Sequence, residues 1–280
     1  MKMTRWAGGV ALVLLVTAFG WADEAAELFK KGSKALGNQD YDEAVTLFTR
    51  SIKLNPKSPT AYLLRGVAHG RKGDRDEALT DYEKVLKLDP KNILAFTYRG
   101  ALYMDTAEFD KALADFDEAV NLDPKNSIPY LNRGSAYNGK RDYDKAVADF
   151  SKAIELDPKS LTARYSRGRT YLYKRQLDKA LADFDKLLEL NPRFVSGHVG
   201  RGDVYTEKGD LDKAFAEFDK ALKIDPSHAE AYQARGDAWM EKGDPEKAIE
   251  DFSQVLRLTP KNVQARVRRA EAYSEKKEYE

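Results

Sequence analysis

The chain has 280 residues, and its 47 lysines and arginines almost balance 46 aspartates and glutamates. That near-neutrality excludes the basic excess that holds a phosphate backbone through released counterions, so nucleic acid is not an expected partner. There is no cysteine, which rules out disulfides and cysteine lipidation, and there are only three histidines.

At the start of the chain, Lys2 and Arg5 precede an apolar stretch from Ala7 to Phe19, and Gly20-Trp21-Ala22 then places small residues at the third and first positions before a cut. This pattern predicts a signal peptide over residues 1–22, cleaved after Ala22, and a mature protein in the periplasm or secreted. The apolar run is shorter than the roughly 20 residues a spanning helix needs, so no stable membrane span is expected after cleavage. The alternative is an uncleaved anchor formed by residues 6–22.

From Ala25 onward the chain repeats. Prolines at 56, 90, 124, 158, 192, 226 and 260 are each 34 residues apart, and they divide residues 23–280 into units beginning at 25, 59, 93, 127, 161, 195 and 229, with a partial eighth at 263. Position 8 of each unit is small: Gly32, Gly66, Gly100, Gly134, Gly168, Gly202, Gly236 and then Ala270. Position 20 is alanine from Ala44 to Ala248, and position 24 is aromatic every time, from Phe48 and Tyr82 to Phe218 and Phe252. Positions 4, 8 and 11, and again 20, 24 and 27, fall on single helical stripes, so each unit is predicted to be a helical hairpin. Gly73-Asp74, Gly209-Asp210 and Gly243-Asp244 supply turns whose acid caps the second helix, and Asp-Pro or Asn-Pro ends that helix.

These columns resemble the tetratricopeptide repeat, with its W-x2-L-G-x2-Y, A-x3-F and P signature. The resemblance implies an all-α solenoid: a right-handed superhelix of antiparallel helix pairs, here seven 34-residue repeats plus a partial eighth. It also implies that the first helices line a concave groove that grips peptides or helices of other proteins.

Nothing in the pattern points to catalysis. Every repeat has the same length, leaving no inserted loop in which a reaction centre could be assembled. His69 and His198 replace aromatic residues in the packing stripe and His228 lies in an inter-repeat turn, so they read as structural and not as metal ligands. No enzyme activity, metal or cofactor is expected. Arg-Gly-Asp occurs at Arg201–Asp203 and Arg235–Asp237, but both fall within predicted helices with the glycine at a helix contact.

Position 7 is arginine from the second unit to the eighth (Arg65, Arg99, Arg133, Arg167, Arg201, Arg235, Arg269), and position 23 carries Asp81, Asp115, Asp149, Asp183, Glu217 and Asp251. The first unit lacks both, having Lys31 and Leu47. The covariation predicts a structural ladder of exposed ion pairs, each worth about 0 to 1 kcal/mol. The rival reading is an arginine track for an acidic ligand.

Positions 2, 5, 9, 12 and 13 lie opposite the packing stripe and are the groove positions that the resemblance implies. They give Leu63, Val67, Leu94, Met104, Ile128, Leu131, Tyr165, Leu172 and Tyr173 in the second to fifth units, expected to be free of packing duty. They then turn acidic, with Asp203, Glu207, Asp237 and Glu241, followed by Glu271 and Glu275. The expected partner is a protein or peptide with an apolar anchor and a basic segment. Position 5 has no lysine, and only Asn132 matches the chaperone-tail clamp of some family members, so that specialised activity is not expected. The expected function is a non-enzymatic interaction scaffold or adaptor. An alternative is the repeat region of a larger enzyme or sensor, because the chain stops at repeat position 18, and a further one is a membrane-anchored accessory protein.

Overall fold

The computed structural model describes the backbone of residues 7–279 and the side chains of residue 21 and residues 23–276. The expected leader therefore lies partly outside the described residues: Lys2 and Arg5 altogether, and the apolar residues 7–20 and Ala22 in their side chains. Among the described residues there are fifteen helices and no strand: α1 (Ala7–Gly37), α2 (Tyr41–Leu54), α3 (Pro59–Lys72), α4 (Arg75–Leu88), α5 (Ile93–Asp105), α6 (Phe109–Leu122), α7 (Ser127–Gly139), α8 (Tyr143–Leu156), α9 (Leu161–Tyr173), α10 (Leu177–Leu190), α11 (Val195–Glu207), α12 (Leu211–Ile224), α13 (Ala229–Lys242), α14 (Pro245–Leu258) and α15 (Val263–Tyr279). Odd-numbered helices are the first of each repeat and even-numbered ones the second. No helix among the described residues is long and apolar enough to cross a membrane.

The helix boundaries follow from local chemistry. Second helices stop at a C-cap Asn or Asp before the proline, as at Asn55, Asp89 and Asp157. The side chains of these residues then accept from the backbone N–H two residues on, closing a short turn. The next first helix starts at a side-chain N-cap: Ser58, Asn92, Ser160 or Asn262 accepts from the N–H three residues later. Within the hairpins Asp40, Asp142, Asp210 and Asp244 cap the second helix. Asp74 differs from the expectation. It makes no cap bond, because its carboxylate is taken by His69 and Lys72.

Packing explains the invariant columns. A Cβ placed on Gly66 would lie 2.7 Å from the Tyr82 ring, and one on Gly236 2.7 Å from the Phe252 ring. The glycine at position 8 is thus the seat of the ring at position 24, and any larger residue would push the two helices apart. The largest fully buried side chains are those rings, Phe48, Phe116, Phe150, Phe184, Phe218 and Phe252. Alanines 44, 78, 112, 146, 180, 214 and 248 are wholly buried beside them.

The helices group into two compact units, residues 1–139 and 140–280. In the first, α1 touches α3, α3 touches α5 and α5 touches α7; in the second, α9 touches α11, α11 touches α13 and α13 touches α15. Successive second helices make no close backbone approach to one another in either unit. Each unit is therefore an all-α solenoid segment whose first helices form the tighter, inner side.

Candidate functional site

The arginine ladder is structural. Arg65, Arg99, Arg167 and Arg235 each present Nε and Nη2 to the two oxygens of Asp81, Asp115, Asp183 and Asp251, at 2.6–2.9 Å. Three of these arginines also reach the second helix of the preceding repeat: Arg65 donates to Thr49, Arg167 to Ser151 and Arg235 to Asp219. Arg133 and Arg201 do likewise to Asp117 and Asp185. Arg65, Arg167, Arg201 and Arg235 thus tie their own hairpin and couple it to the one before. Hydrogen bonding to the carboxylate holds the Arg65, Arg99, Arg167 and Arg235 guanidiniums above their ordinary pKa. The exposed-pair expectation is corrected in one respect: Asp81, Asp115, Asp149, Asp183, Glu217 and Asp251 are all buried. These are partly desolvated bidentate pairs, in which leaving the carboxylate alone is costly.

The histidines also have structural duties. His69 Nδ1 lies 3.1 Å from Asp74, and His228 Nδ1 accepts from the Ala231 N–H as the N-cap of α13. His198 is buried between Glu217 and the Pro192 carbonyl oxygen. No group of three or more His, Asp or Glu among the described residues could hold a metal ion. Both Arg-Gly-Asp triplets are helical, in α11 and α13, with Gly202 and Gly236 seated under rings.

The groove columns divide in the first unit. Leu94 and Ile128 are exposed, at 51% and 55%. Leu63 is not a groove residue: at 5% exposure it packs with Ala78, Tyr82, Val85 and Ala95. Val67 packs against the same cluster, and Met104 lies on Ala112, Phe116 and Ala136. Leu131 is half-buried. Position 5 dips into the seam between repeats, as the burial of Thr97 and Val199 in the same column shows. The helical wheel of one isolated helix cannot reveal a seam made by the next repeat.

In the second unit Tyr165 and Leu172 pack on Ala180, Phe184 and Val204, with Tyr165 tilted against both Phe184 and Phe194. Burial pushes the Tyr165 phenol up to about 12. Tyr173, Glu207 and Glu241 are exposed, while Asp203 and Asp237 are half-buried. Five of the expected residues, Leu172, Tyr173, Asp203, Glu207 and Asp237, come together around one cavity of about 640 Å³, with Arg169, Arg175, Thr206, Glu230, Gln233, Ala234 and Gln264 completing its wall. All of these come from first helices and the turn after α9.

Charge in this cavity is arranged along position 9, where Arg169, Asp203 and Asp237 follow one another at the repeat interval. Arg169 donates to Asp203 at 2.5 Å, and Arg268 to Asp237 at 2.6 Å. Burial pushes the Asp203 carboxyl up to about 7, with Arg169 opposing the shift and Glu230 and Asp237 adding to it. Arg169 and Glu230 were not singled out in the sequence. The signal available for Arg169 was the change of sign between one repeat and the next in a single column.

Comparison with known proteins agrees with this architecture. Tetratricopeptide repeat family models match residues 29–93 and 165–229, 128–160, and 93–126 and 229–262. A tetratricopeptide repeat protein from Parabacteroides merdae is similar over 90% of this chain and 99% of its own, at 25% identity and a TM-score of 0.75. MamA is similar over 61% of this chain and 94% of its own, at 31% identity and a TM-score of 0.54. MamA from Desulfovibrio magneticus RS-1 is similar over 61% and 97%, at 25% identity and a TM-score of 0.57. No curated protein matches. Because the same hairpin recurs through the sequence, the structure and these relatives, the chain belongs to the tetratricopeptide repeat family.

Proposed function

We propose that this chain is a non-enzymatic scaffold that grips a peptide or helix of a partner protein on its first-helix face. A tetratricopeptide fold serves protein–protein interaction, and the observation that carries the finer reading is the cavity of about 640 Å³ walled by α9, α11, α13 and α15. Its wall includes Leu172, packed on Phe184, and its polar groups come from successive repeats, which suits a bound segment better than a flat contact. Exposed Leu94 and Ile128 on first helices of the first unit suit an apolar anchor, and the acidic Glu207, Asp237 and Glu241 of the second unit suit a basic stretch. Export rests on Lys2, Arg5 and the apolar run that follows them.

A photo-crosslinking residue in place of Tyr173 tests the binding face, with the same residue in place of Lys186 on second helix α10 as control. Exposed in the producing cell, the Tyr173 variant is expected to label a distinct protein that the Lys186 variant does not. Equal labelling from both, or none from Tyr173, overturns the reading. Intact-mass measurement tests export, the expected result being loss of residues 1–22.

A further inference from the structure

We propose that the cavity of the second unit contains a subsite for one cationic side chain of the partner, arginine or lysine, seated against Glu230 and Asp203 with the Tyr173 ring among its walls. This rests on the peptide-binding reading above and adds the chemistry recognised at one place.

The first argument is charge. The cavity wall carries four carboxylates, Asp203, Glu207, Glu230 and Asp237, against two guanidiniums, and both guanidiniums are engaged: Arg169 on Asp203 and Arg175 on Glu207. Asp237 is held by Arg268 and by the Gln233 amide. Glu230 has no hydrogen-bond or ion-pair partner among the described residues, and it faces Asp203 closely enough to disfavour ionisation there. The cavity is thus built one cation short.

The second argument is a missing donor. Gln233 donates through Nε2 to Asp237 at 3.1 Å, while its Oε1 is buried without a hydrogen-bond partner. Buried acceptors are normally satisfied. Gln233 lines the cavity, and rotating its terminal amide to turn this oxygen toward an entering N–H group would swing Nε2 off Asp237, leaving that carboxylate to Arg268.

The third argument is aromatic. Tyr173 is 56% exposed and stacks on Tyr143 of α8, which holds its ring in place. Arg169 already lies over this ring at 5.6 Å, so an entering cation would share the ring with Arg169 or displace it.

A consequence separates this subsite from general acidity. Burial and the neighbouring carboxylates raise Asp203 to about 7 although Arg169 of α9 opposes them; Glu230 and Asp237 of α13 face it, and Tyr173 of α9 lies nearby. A second cation favours the ionised form, so binding releases a proton and affinity rises with pH until Asp203 is already ionised.

The test titrates N-acetyl-argininamide, N-acetyl-lysinamide and the neutral isostere N-acetyl-citrullinamide into the full chain, following tyrosine ring resonances. Both cations are expected to saturate with Tyr173 shifting, and citrullinamide is not. Affinity for the cations should be about tenfold greater at about pH 8 than at about pH 5.5, the size expected for a carboxyl whose pKa drops by at least a unit on binding. Glu230→Gln, an exposed change that leaves the fold intact, should weaken the cations several-fold, and Asp203→Asn should abolish the pH dependence. Equal binding of citrullinamide, pH-independent affinity, or full affinity in Glu230→Gln overturns the subsite. If crosslinking from Tyr173 persists while these titrations fail, the groove is used without a cation subsite; loss of the crosslink overturns the binding face itself.

Discussion

His198 places Nδ1 2.8 Å from Oε2 of Glu217 and Nε2 3.0 Å from the carbonyl oxygen of Pro192. A backbone carbonyl and a carboxylate both accept, so each ring nitrogen faces an acceptor oxygen and the ring is fixed from both sides. Glu217 is the one glutamate in a column of aspartates, and its extra methylene lets it reach His198 while also accepting from Arg201 and Lys220. Burial pushes its carboxyl up, but the three donors outweigh burial and hold it at about 2.

The sign of the resulting pH dependence follows. A carboxyl whose pKa is lower folded than unfolded contributes stability that is complete above its unfolded value and lost as pH falls toward its folded one. For Glu217 that window runs from 4.5 down to about 2. At about 1.4 kcal/mol per unit the contribution is of order 3 kcal/mol at neutral pH. Urea midpoints measured down this window should fall less steeply in Glu217→Gln than in the parent chain. Parallel curves would show that the carboxylate is not held by these donors.

The ladder makes an asymmetric prediction. Arg167 binds both oxygens of Asp183 and the Ser151 hydroxyl, and Asp183 is only 4% exposed. Arg167→Ala leaves a buried carboxylate uncompensated and should cost about 3–5 kcal/mol. Replacing both members, Arg167→Met with Asp183→Leu, should recover most of that loss, because two desolvation penalties vanish with the pair. A denaturant series on the two variants and the parent checks it, and a double variant as weak as the single one would contradict the account.

The hairpins, their turns and their repeat length were legible because each residue type answers to a local constraint: proline after a C-cap, glycine under a ring, an acid at an N-cap. The ladder was legible because Lys31 and Leu47 lose both of its columns together. What the sequence hid is set by neighbours 34 residues away. Leu63 and Tyr165 share a column, and both turn into the seam between repeats, where burial depends on how closely successive first helices approach. The same limit concealed Arg169 as the partner of Asp203, since a one-helix wheel shows that both face inward without showing that they meet.

That distinction can be measured on two tyrosines of one helix. Tyr165 packs on Phe184 and Phe194, whereas Tyr173 has one ring neighbour, Tyr143, and is mostly exposed. Tyr165→Ala should therefore cost about 3 kcal/mol through the cavity it leaves, and Tyr173→Ala about 0.5 kcal/mol or less. Melting curves should separate the two, while Tyr173→Ala should weaken cation titration at the cavity, followed on the remaining tyrosine resonances. Equal destabilisation would place Tyr173 in the core and remove it from the binding wall.

The hairpin turns offer a test of backbone strain. After α3, Gly73 has φ 91° and its N–H bonds to Gly70, while the Asp74 N–H bonds to His69. After α5 the same two bonds form from Ala107 to Met104 and from Glu108 to Tyr103, but Ala107 holds φ 56° with a Cβ in place. The hydrogen bonding is conserved between the turns, so the remaining difference is the steric cost of a left-handed side-chain-bearing residue, about 1–2 kcal/mol. Glycine gives back part of that through the freedom it adds to the unfolded chain, about 0.4–1 kcal/mol. Ala107→Gly should accordingly stabilise by about 0.5–1 kcal/mol, and Gly73→Ala should destabilise by a similar amount. Thermal melts of both variants decide the point: a lower melting temperature for Ala107→Gly would mean that the turn is relaxed by tertiary contacts and that its backbone carries no strain to relieve.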